Sequence, residues 1–354
     1  MKILVIQQKM IGDVLLSSIL CNTLREAYPD AKIDYLVHEN TIPVLENNPN
    51  IDKIIRFTEE HKNSKKAFLK LGKKIRAEKY DLLIDAYSKL ESWLLSSMSG
   101  AKKKISYKKI GRNFIYDVNV PYSANPKTNL GLAIERRLSL LEPLHIESFY
   151  QPIPKLFLTE KEIQTAKNLF SDFGVDSSKK TVMMSIIGSE EKKTYPLTFM
   201  SELVDFIGEN YDVNILFNYF PKQIEQAKKI YNSCSEKTKS KIYFELLGQD
   251  LRSFIGIMNE CDAIIGNDGG AINMAKALNK PSFIIFSPWI EKKMWATFED
   301  GKNHCSVHLK DFEPALFENK TEKELKKEAE NFYQKFTPKL IIPKLKAFST
   351  THFG

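Results

Sequence analysis

Three short stretches of this chain hold residue types that can do chemistry. The first is Gly266-Asn267-Asp268-Gly269-Gly270-Ala271-Ile272-Asn273. The apolar run before it, residues 263–265, reads as a short buried strand, and Ala271, Met274, Ala275 and Leu278 recur at helical spacing after it. A strand therefore stops at Asn267 and a helix starts near Gly270. The first turn of a helix offers N–H groups without partners and the positive end of a dipole. Gly269 and Gly270 carry no side chain to block a phosphate, so the turn has the makings of an anion cradle. The competing reading is a tight turn in which Asp268 caps the helix.

The second stretch, Gly188-Ser189-Glu190-Glu191-Lys192-Lys193-Thr194-Tyr195-Pro196, also follows an apolar run. It sets a glycine, a hydroxyl and two lysines ahead of a helix, and lysine meets a phosphate as a compact point charge. By itself it also reads as a solvated charged loop. Two such loops after strands of one sheet make a diphosphate site more credible than either alone. The third stretch is Gln7-Gln8-Lys9-Met10-Ile11-Gly12-Asp13. Gly12 permits close backbone approach, and Asp13 opens the next helix, where a carboxylate either caps or serves as a general base. The stretch lacks the GxGxxG fingerprint, and no acidic residue ends the following strand, which argues against a nicotinamide dehydrogenase.

The elements that must position these loops alternate along the chain. Strands are expected at 2–6, 33–37, 54–57, 82–84, 105–107 and 118–120, with helices at 14–27, 62–79 and 129–144. Two prolines without periodicity mark a linker at 147–154. Beyond it come helices at 160–173, 197–209, 221–231 and 251–259, strands at 182–187, 213–217, 243–246 and 282–286, and a late charged helix at 321–336. Repeated β-α units imply parallel sheets covered on both faces. The expected division is 1–150 and 151–354, with the last helices packing back on the first domain. In open parallel sheets, ligands bind beyond the C-terminal strand ends, where all three stretches lie.

Composition sets bounds. The 354 residues suit two domains, and their apolar and charged fractions are those of a soluble globular protein. No apolar run approaches the roughly 20 residues of a membrane span. The N-terminal run 1–6 is too short for a signal peptide. Cys21, Cys234, Cys261 and Cys305 are scattered without CxxC spacing, so reduced thiols and a cytoplasmic setting are expected. The formal net charge of +8 suits an acidic partner or surface. The lysines of 62–79 and 102–109 read as solvated faces or as attraction to anionic head groups. His38, His61 and His145 lack metal-ligand spacing, and His304 and His308, four apart without a third ligand, read as surface residues.

The ordered motifs resemble glycosyltransferase family 9, the heptosyltransferases of lipopolysaccharide core assembly. The resemblance rests on Gly12-Asp13-Val14-Leu15-Leu16, on Tyr28-Pro29-Asp30-Ala31-Lys32-Ile33 and on Ile51-Asp52-Lys53-Ile54-Ile55. It continues with Lys193-Thr194-Tyr195-Pro196 and with Asn267-Asp268-Gly269-Gly270 followed by Asn273, Ala275, Ala277 and Leu278. It implies an α/β, GT-B type fold: two tandem Rossmann-like domains facing across a cleft, acceptor on the N-terminal side and donor on the C-terminal side. It implies inverting transfer of a heptose or related sugar from a nucleotide-diphosphate sugar, most simply an ADP-sugar, with no metal and no cofactor. The acceptor would be a lipopolysaccharide-core glycolipid or other oligosaccharide, reached by peripheral contact with the inner membrane face, and no nucleic acid is involved. By the same resemblance Asp13 is the catalytic base, with Lys9 and Gly12 on the acceptor-side loop. The donor side falls to Gly188, Ser189, Lys193, Asp268, Gly269, Gly270, Ala271, Ile272 and Asn273, with the diphosphate at Lys193 and the backbone N–H groups from Gly269 to Ile272, and with Glu225 on the ribose. The chain departs from the family pattern at Gly269 for Ser/Thr, Tyr195 for Trp and Asn273 for His. Asn273 donates a neutral hydrogen bond and carries no charge. The alternative is a nucleotide or sugar-phosphate binding protein on the same scaffold, without transfer.

Overall fold

The computed structural model describes residues 1–146 and 152–354, so most of the expected linker, 147–151, lies outside the described residues. The chain divides into two compact units, Met1–Phe157 and Leu158–Gly354.

The first unit is built on six parallel strands: β1 (Lys2–Ile6), β2 (Lys32–His38), β3 (Lys53–Phe57), β4 (Leu82–Asp85), β5 (Lys103–Tyr107) and β6 (Val118–Val120). Their order is β3-β2-β1-β4-β5-β6, so the winding direction reverses between β1 and β4. Apart from half-buried Lys2 these two strands are buried throughout, as near-continuous apolar runs in a sheet covered on both faces must be. The helix Ile11–Ala27 follows β1, and the helix Leu132–Ser139 packs against it.

Two expected helices of the first unit are cut shorter than their periodicity suggested, as is the late charged one of the second, which breaks into Glu322–Lys327 and Ala329–Lys335. The stretch 62–79 forms two helices, Glu59–Asn63 and Lys65–Ala77, because Ser64 turns extended and its hydroxyl accepts from the Ala67 N–H at 3.3 Å. The stretch 129–144 is helical only over Leu132–Ser139, with a 3-10 turn at Glu142–Leu144. Just ahead of it the Lys127 and Thr128 N–H groups donate to the Glu135 carboxylate, which holds that segment in a loop.

The second unit repeats the scheme with β7 (Lys180–Ser185), β8 (Val213–Asn218), β9 (Ile242–Tyr243), β10 (Ala263–Asn267), β11 (Ser282–Ile285) and β12 (His304–Val307), in the order β12-β11-β10-β7-β8-β9. Every pairing is parallel, and the reversal falls between β7 and β10. β9 ends at Tyr243, where the Leu246 N–H turns back to the Tyr243 carbonyl, so the expected strand over 243–246 is a two-residue stub. β12 has no clear apolar alternation in the sequence, and it corrects the surface reading of two histidines. His304 lies in that strand with Nδ1 3.0 Å from Ser282 Oγ. His308 is buried against the Phe317 ring. Burial lowers both imidazoles, His304 to about 4. The last helix, Pro338–Phe353, places Ile341, Leu345 and Phe348 in the core of this unit. No helix among the described residues is long and apolar enough to cross a membrane.

Candidate active site

In the second unit the site is laid out at the ends of β7 and β10, where the winding reverses. Asn267, the last residue of β10, is buried and ties the two strand ends together. Its Nδ2 donates to the Ser185 carbonyl at 2.9 Å, and its Oδ1 accepts from the Tyr195 N–H at 2.7 Å. The loop after β7 is thereby pinned to the turn after β10. Two glycines make the approach possible. A Cβ on Gly266, whose φ is +134°, would stand 2.3 Å from the Ser185 carbonyl oxygen, and one on Gly188 2.3 Å from that of Lys193. Gln223 reaches across from the segment after β8 and donates to the Gly188 carbonyl at 3.0 Å.

Lys193 is held from behind. The Ser287 hydroxyl and the Trp289 indole N–H both donate to the carbonyl of Lys192, at 2.6 and 3.0 Å. The Lys193 ammonium then stands 5.4 Å over the Trp289 ring, a cation–π placement that leaves its N–H donors available. Trp289 is thus buried support for the lysine, and Lys292 pairs with Asp311 at 2.9 Å. Tyr195 fills the core, its hydroxyl donating to the Phe336 carbonyl at 2.6 Å.

The helix after β10 spans Gly270–Ala277 and its N-cap is Gly269, in extended backbone with no side-chain cap. Asp268 is therefore one residue too early to be the cap. The N–H groups of Gly269, Gly270, Ala271 and Ile272 lack helical partners by position, and a Cβ on Gly269 would meet nothing within 4 Å. Burial raises the Asp268 carboxyl above its ordinary value, against the pull of the Lys193 and Lys276 charges and the Gly269 N–H. Lys276 is buried within the same helix. Its ammonium donates to the Thr297 carbonyl at 2.5 Å and to the Thr297 hydroxyl at 3.2 Å, and burial holds it down at about 8.

Asn273 is half-buried in the first turn, and Ser189 is exposed. Glu225 sits in the first turn of the helix Ile224–Ser233, 79% exposed, with its carboxylate 3.3 Å from Lys228.

In the first unit, Asp13 is the third residue of the helix after β1. Met10 is the N-cap, so Asp13 does not cap from the front; its Oδ2 lies 3.4 Å from the Met10 N–H. Its Oδ1 accepts from Arg137 Nη2 at 2.7 Å. Arg137 is buried and engages each of its three side-chain nitrogens, donating also to Ser17 Oγ at 2.7 Å and to the Ala133 carbonyl at 2.6 Å. One carboxylate oxygen is thus fixed by a guanidinium and the other is turned toward the loop of Lys9 and Gly12. Asp85, at the end of the neighbouring β4, is enclosed instead. It accepts from the Tyr116 hydroxyl at 2.6 Å and the Ser88 N–H at 2.8 Å, and burial raises its carboxyl.

A family model described as glycosyltransferase family 9 (heptosyltransferase) matches residues 68–328. The chain belongs to this family. Among curated relatives it is similar to the lipopolysaccharide heptosyltransferase 1 of Campylobacter coli, 26% identical over 309 residues that cover 81% of this chain and 84% of the relative. Its fold is similar to that of a Veillonella parvula family 9 glycosyltransferase, with a TM-score of 0.72 at 17% identity, covering 94% of this chain and 97% of the other. The E. coli ADP-heptose lps heptosyltransferase II superposes with a TM-score of 0.67 at 21% identity, covering 95% of this chain and 99% of that one. The fold is accordingly α/β with two tandem Rossmann-like domains of GT-B type, and the protein is a glycosyltransferase. Among the described residues no cluster of three or more His, Cys, Asp or Glu side chains is arranged to hold a metal ion.

Three residues at the sites of this family 9 glycosyltransferase escaped the sequence reading: Asn267 as a clamp, Arg137 and Lys276. The two cations had a detectable signal. Arg137 continues the apolar spacing Ala133, Ile134, Leu138, and Lys276 stands four residues after buried Ile272. A charge on the buried stripe of a helix needs a partner, and searching for it leads to each site.

Proposed function

We propose that this chain transfers a heptose or related sugar from an ADP-sugar to a lipopolysaccharide-core glycolipid or similar glycan, with inversion and without a metal ion, at the inner membrane face. One observation carries the reading: the uncapped helix start at Gly269–Asn273 and Lys193 are fixed to the same pair of strand ends by Asn267. That arrangement offers several N–H donors and a cation to one diphosphate. The names of relatives support the donor and acceptor classes, since one is named for ADP-heptose and another for lipopolysaccharide.

Breaking the glycosyl–phosphate bond leaves positive charge at the sugar carbon and negative charge on the departing diphosphate. The helix N–H groups and Lys193 stabilise the negative charge as it develops. Asp13 takes the proton of the attacking hydroxyl. With Oδ1 held by Arg137, the proton goes to Oδ2. Attack from the side opposite the diphosphate inverts the anomeric carbon. Glu225 is the proposed ribose contact after β8, reached by a rotation away from Lys228.

Titration calorimetry with ADP and AMP tests the donor half: ADP should bind at least about tenfold more tightly, the scale of one or two charge-assisted hydrogen bonds. Equal affinities would remove the diphosphate site. Incubation with ADP-heptose and a core acceptor lacking heptose, read by mass spectrometry and NMR, tests the rest. Inverted product formed equally with and without a chelator is the expected result; retained configuration or chelator sensitivity would overturn that part of the proposal.

A further inference from the structure

One end of the first unit exposes apolar side chains that folding usually buries. Ile110 is fully exposed and Phe114 is 83% exposed, both in the segment between β5 and β6. Beside them the helix Leu90–Met98 turns Leu90 and Leu94, one turn apart, to solvent. The two segments form one surface, because the 3-10 turn Asn113–Ile115 packs against that helix and the Arg112 guanidinium lies 5.0 Å from the Trp93 ring.

The exposed tips are held there by built structure. Lys109 Nζ and Arg112 Nη1 both donate to the Ser88 carbonyl, at 2.7 and 3.0 Å. The Lys108 N–H donates to the Val120 carbonyl at 2.7 Å, and Asn119 Nδ2 to the Asn113 carbonyl at 3.0 Å. Such bonding fixes the loop with its apolar side chains outward.

The same surface carries Lys89, Lys108, Lys109 and Arg112, and Glu91 is its nearest acidic neighbour in sequence. Among the described residues none of the four cations forms an ion pair with a carboxylate, whereas lysines elsewhere in the unit, such as Lys2, Lys53 and Lys102, do. Lys109 and Arg112 converge on one carbonyl despite their like charges, and burial together with Lys89 and Arg112 lowers the Lys109 ammonium. Apolar tips ringed by cations without counter-charges complement an interface whose interior is apolar and whose head groups are anionic.

We propose that this surface docks the first unit on an anionic lipid bilayer, with Ile110 and Phe114 entering the acyl boundary, Leu90 and Leu94 lying along it, and the four cations at the phosphates. The purpose of such docking rests on the reading that the acceptor is a membrane glycolipid; the binding itself does not. The full chain is sedimented with phosphatidylcholine vesicles and with vesicles containing phosphatidylglycerol, at low and high salt, with neither donor nor acceptor present. The wild type should partition to the anionic vesicles alone and be released by salt. I110S/F114S should lower that partition by about tenfold or more, and K89A/K108A should weaken it at low salt. Both double variants should keep the wild-type melting temperature and ADP affinity, so a transfer reading that fails would show separately. A wild type that stays in the supernatant, or an I110S/F114S variant that partitions unchanged, overturns the proposal. So does a lipid-free dimer, seen by ultracentrifugation, that I110S/F114S dissociates, because the surface would then be a contact between copies of this chain.

Discussion

The turn after β1 and the turn after β10 hold comparable places in their sheets, each at the strand end where the winding reverses, and each leads into a helix. They treat charge in opposite ways. At Asp13 the carboxylate is answered at once by a buried arginine whose three side-chain nitrogens all donate. At Gly269–Asn273 the helix start carries no side-chain cap, and the nearby cations are placed without being spent: Lys193 lies over an indole and Lys276 bonds a neutral threonine. A site that must hold an anion of its own supplies the counter-charge in advance. A site that receives one, as we propose for the turn after β10, leaves donors unanswered.

The largest expected effect breaks the first half of that contrast. Asp13→Asn should lower transfer by roughly 10²–10⁴ while leaving ADP affinity unchanged, as loss of a general base would. It should also lower stability by about 1–3 kcal/mol in urea melts, because Arg137 stays buried with a neutral partner. Full transfer activity in this variant would reduce the Asp13–Arg137 pair to a structural brace.

Lys193→Ala attacks the second half. Calorimetry should show ADP binding weakened by about 1.5–3 kcal/mol, the scale of a charge-assisted hydrogen bond, with adenosine binding unaltered. Parallel losses for the two ligands would place Lys193 away from the phosphates.

Lys276 sharpens the comparison through pH. Its ammonium sits at about 8 in the folded chain against an ordinary 10.5. Between these values the unfolded chain holds the proton and the folded chain releases it, so this residue makes stability rise with pH across that window and contributes no slope below it. The slope is at most about 1.4 kcal/mol per pH unit. Urea melts at pH 7.5 and pH 10 should show a rise in the wild type that is smaller in Lys276→Met; identical rises would mean that the ammonium is not desolvated. The smallest effect is at Glu225. As the proposed ribose contact, Glu225 predicts a loss near ~1 kcal/mol of adenosine affinity for Glu225→Gln, and a change of less than about 0.5 kcal/mol, the scale of an ordinary exposed substitution, would remove it from the site.

Much of this was legible because parallel strands buried on both faces leave apolar runs that turn residues interrupt. β1 and β6 have the bounds that the sequence predicts, and the helix after β10 begins where Gly270 predicts. What was not legible depends on distant partners. β12 carries His304, Cys305 and Ser306 and is a strand only because β11 lies beside it. Asn267 stands in a motif, yet its role as a clamp needs Ser185 and Tyr195, which lie 82 and 72 residues earlier. Arg137 is 124 residues from Asp13, and no local pattern pairs them.

That long reach also governs how the chain acquires its shape. Ile3 of β1 finds its β4 neighbour only at Leu82, and Ala263 of β10 pairs with Val182 of β7. The entropy of closing such loops must be met before the contacts repay it, so assembly of each sheet is intrinsically slow. During synthesis β1 has only β2 to pair with until β4 leaves the ribosome, and its other edge stays open for that interval. Since each sheet draws its strands from one continuous half, the first unit can complete its sheet while the second is still being made. A nascent chain arrested once residues 1–157 have cleared the ribosome should therefore already resist proteolysis.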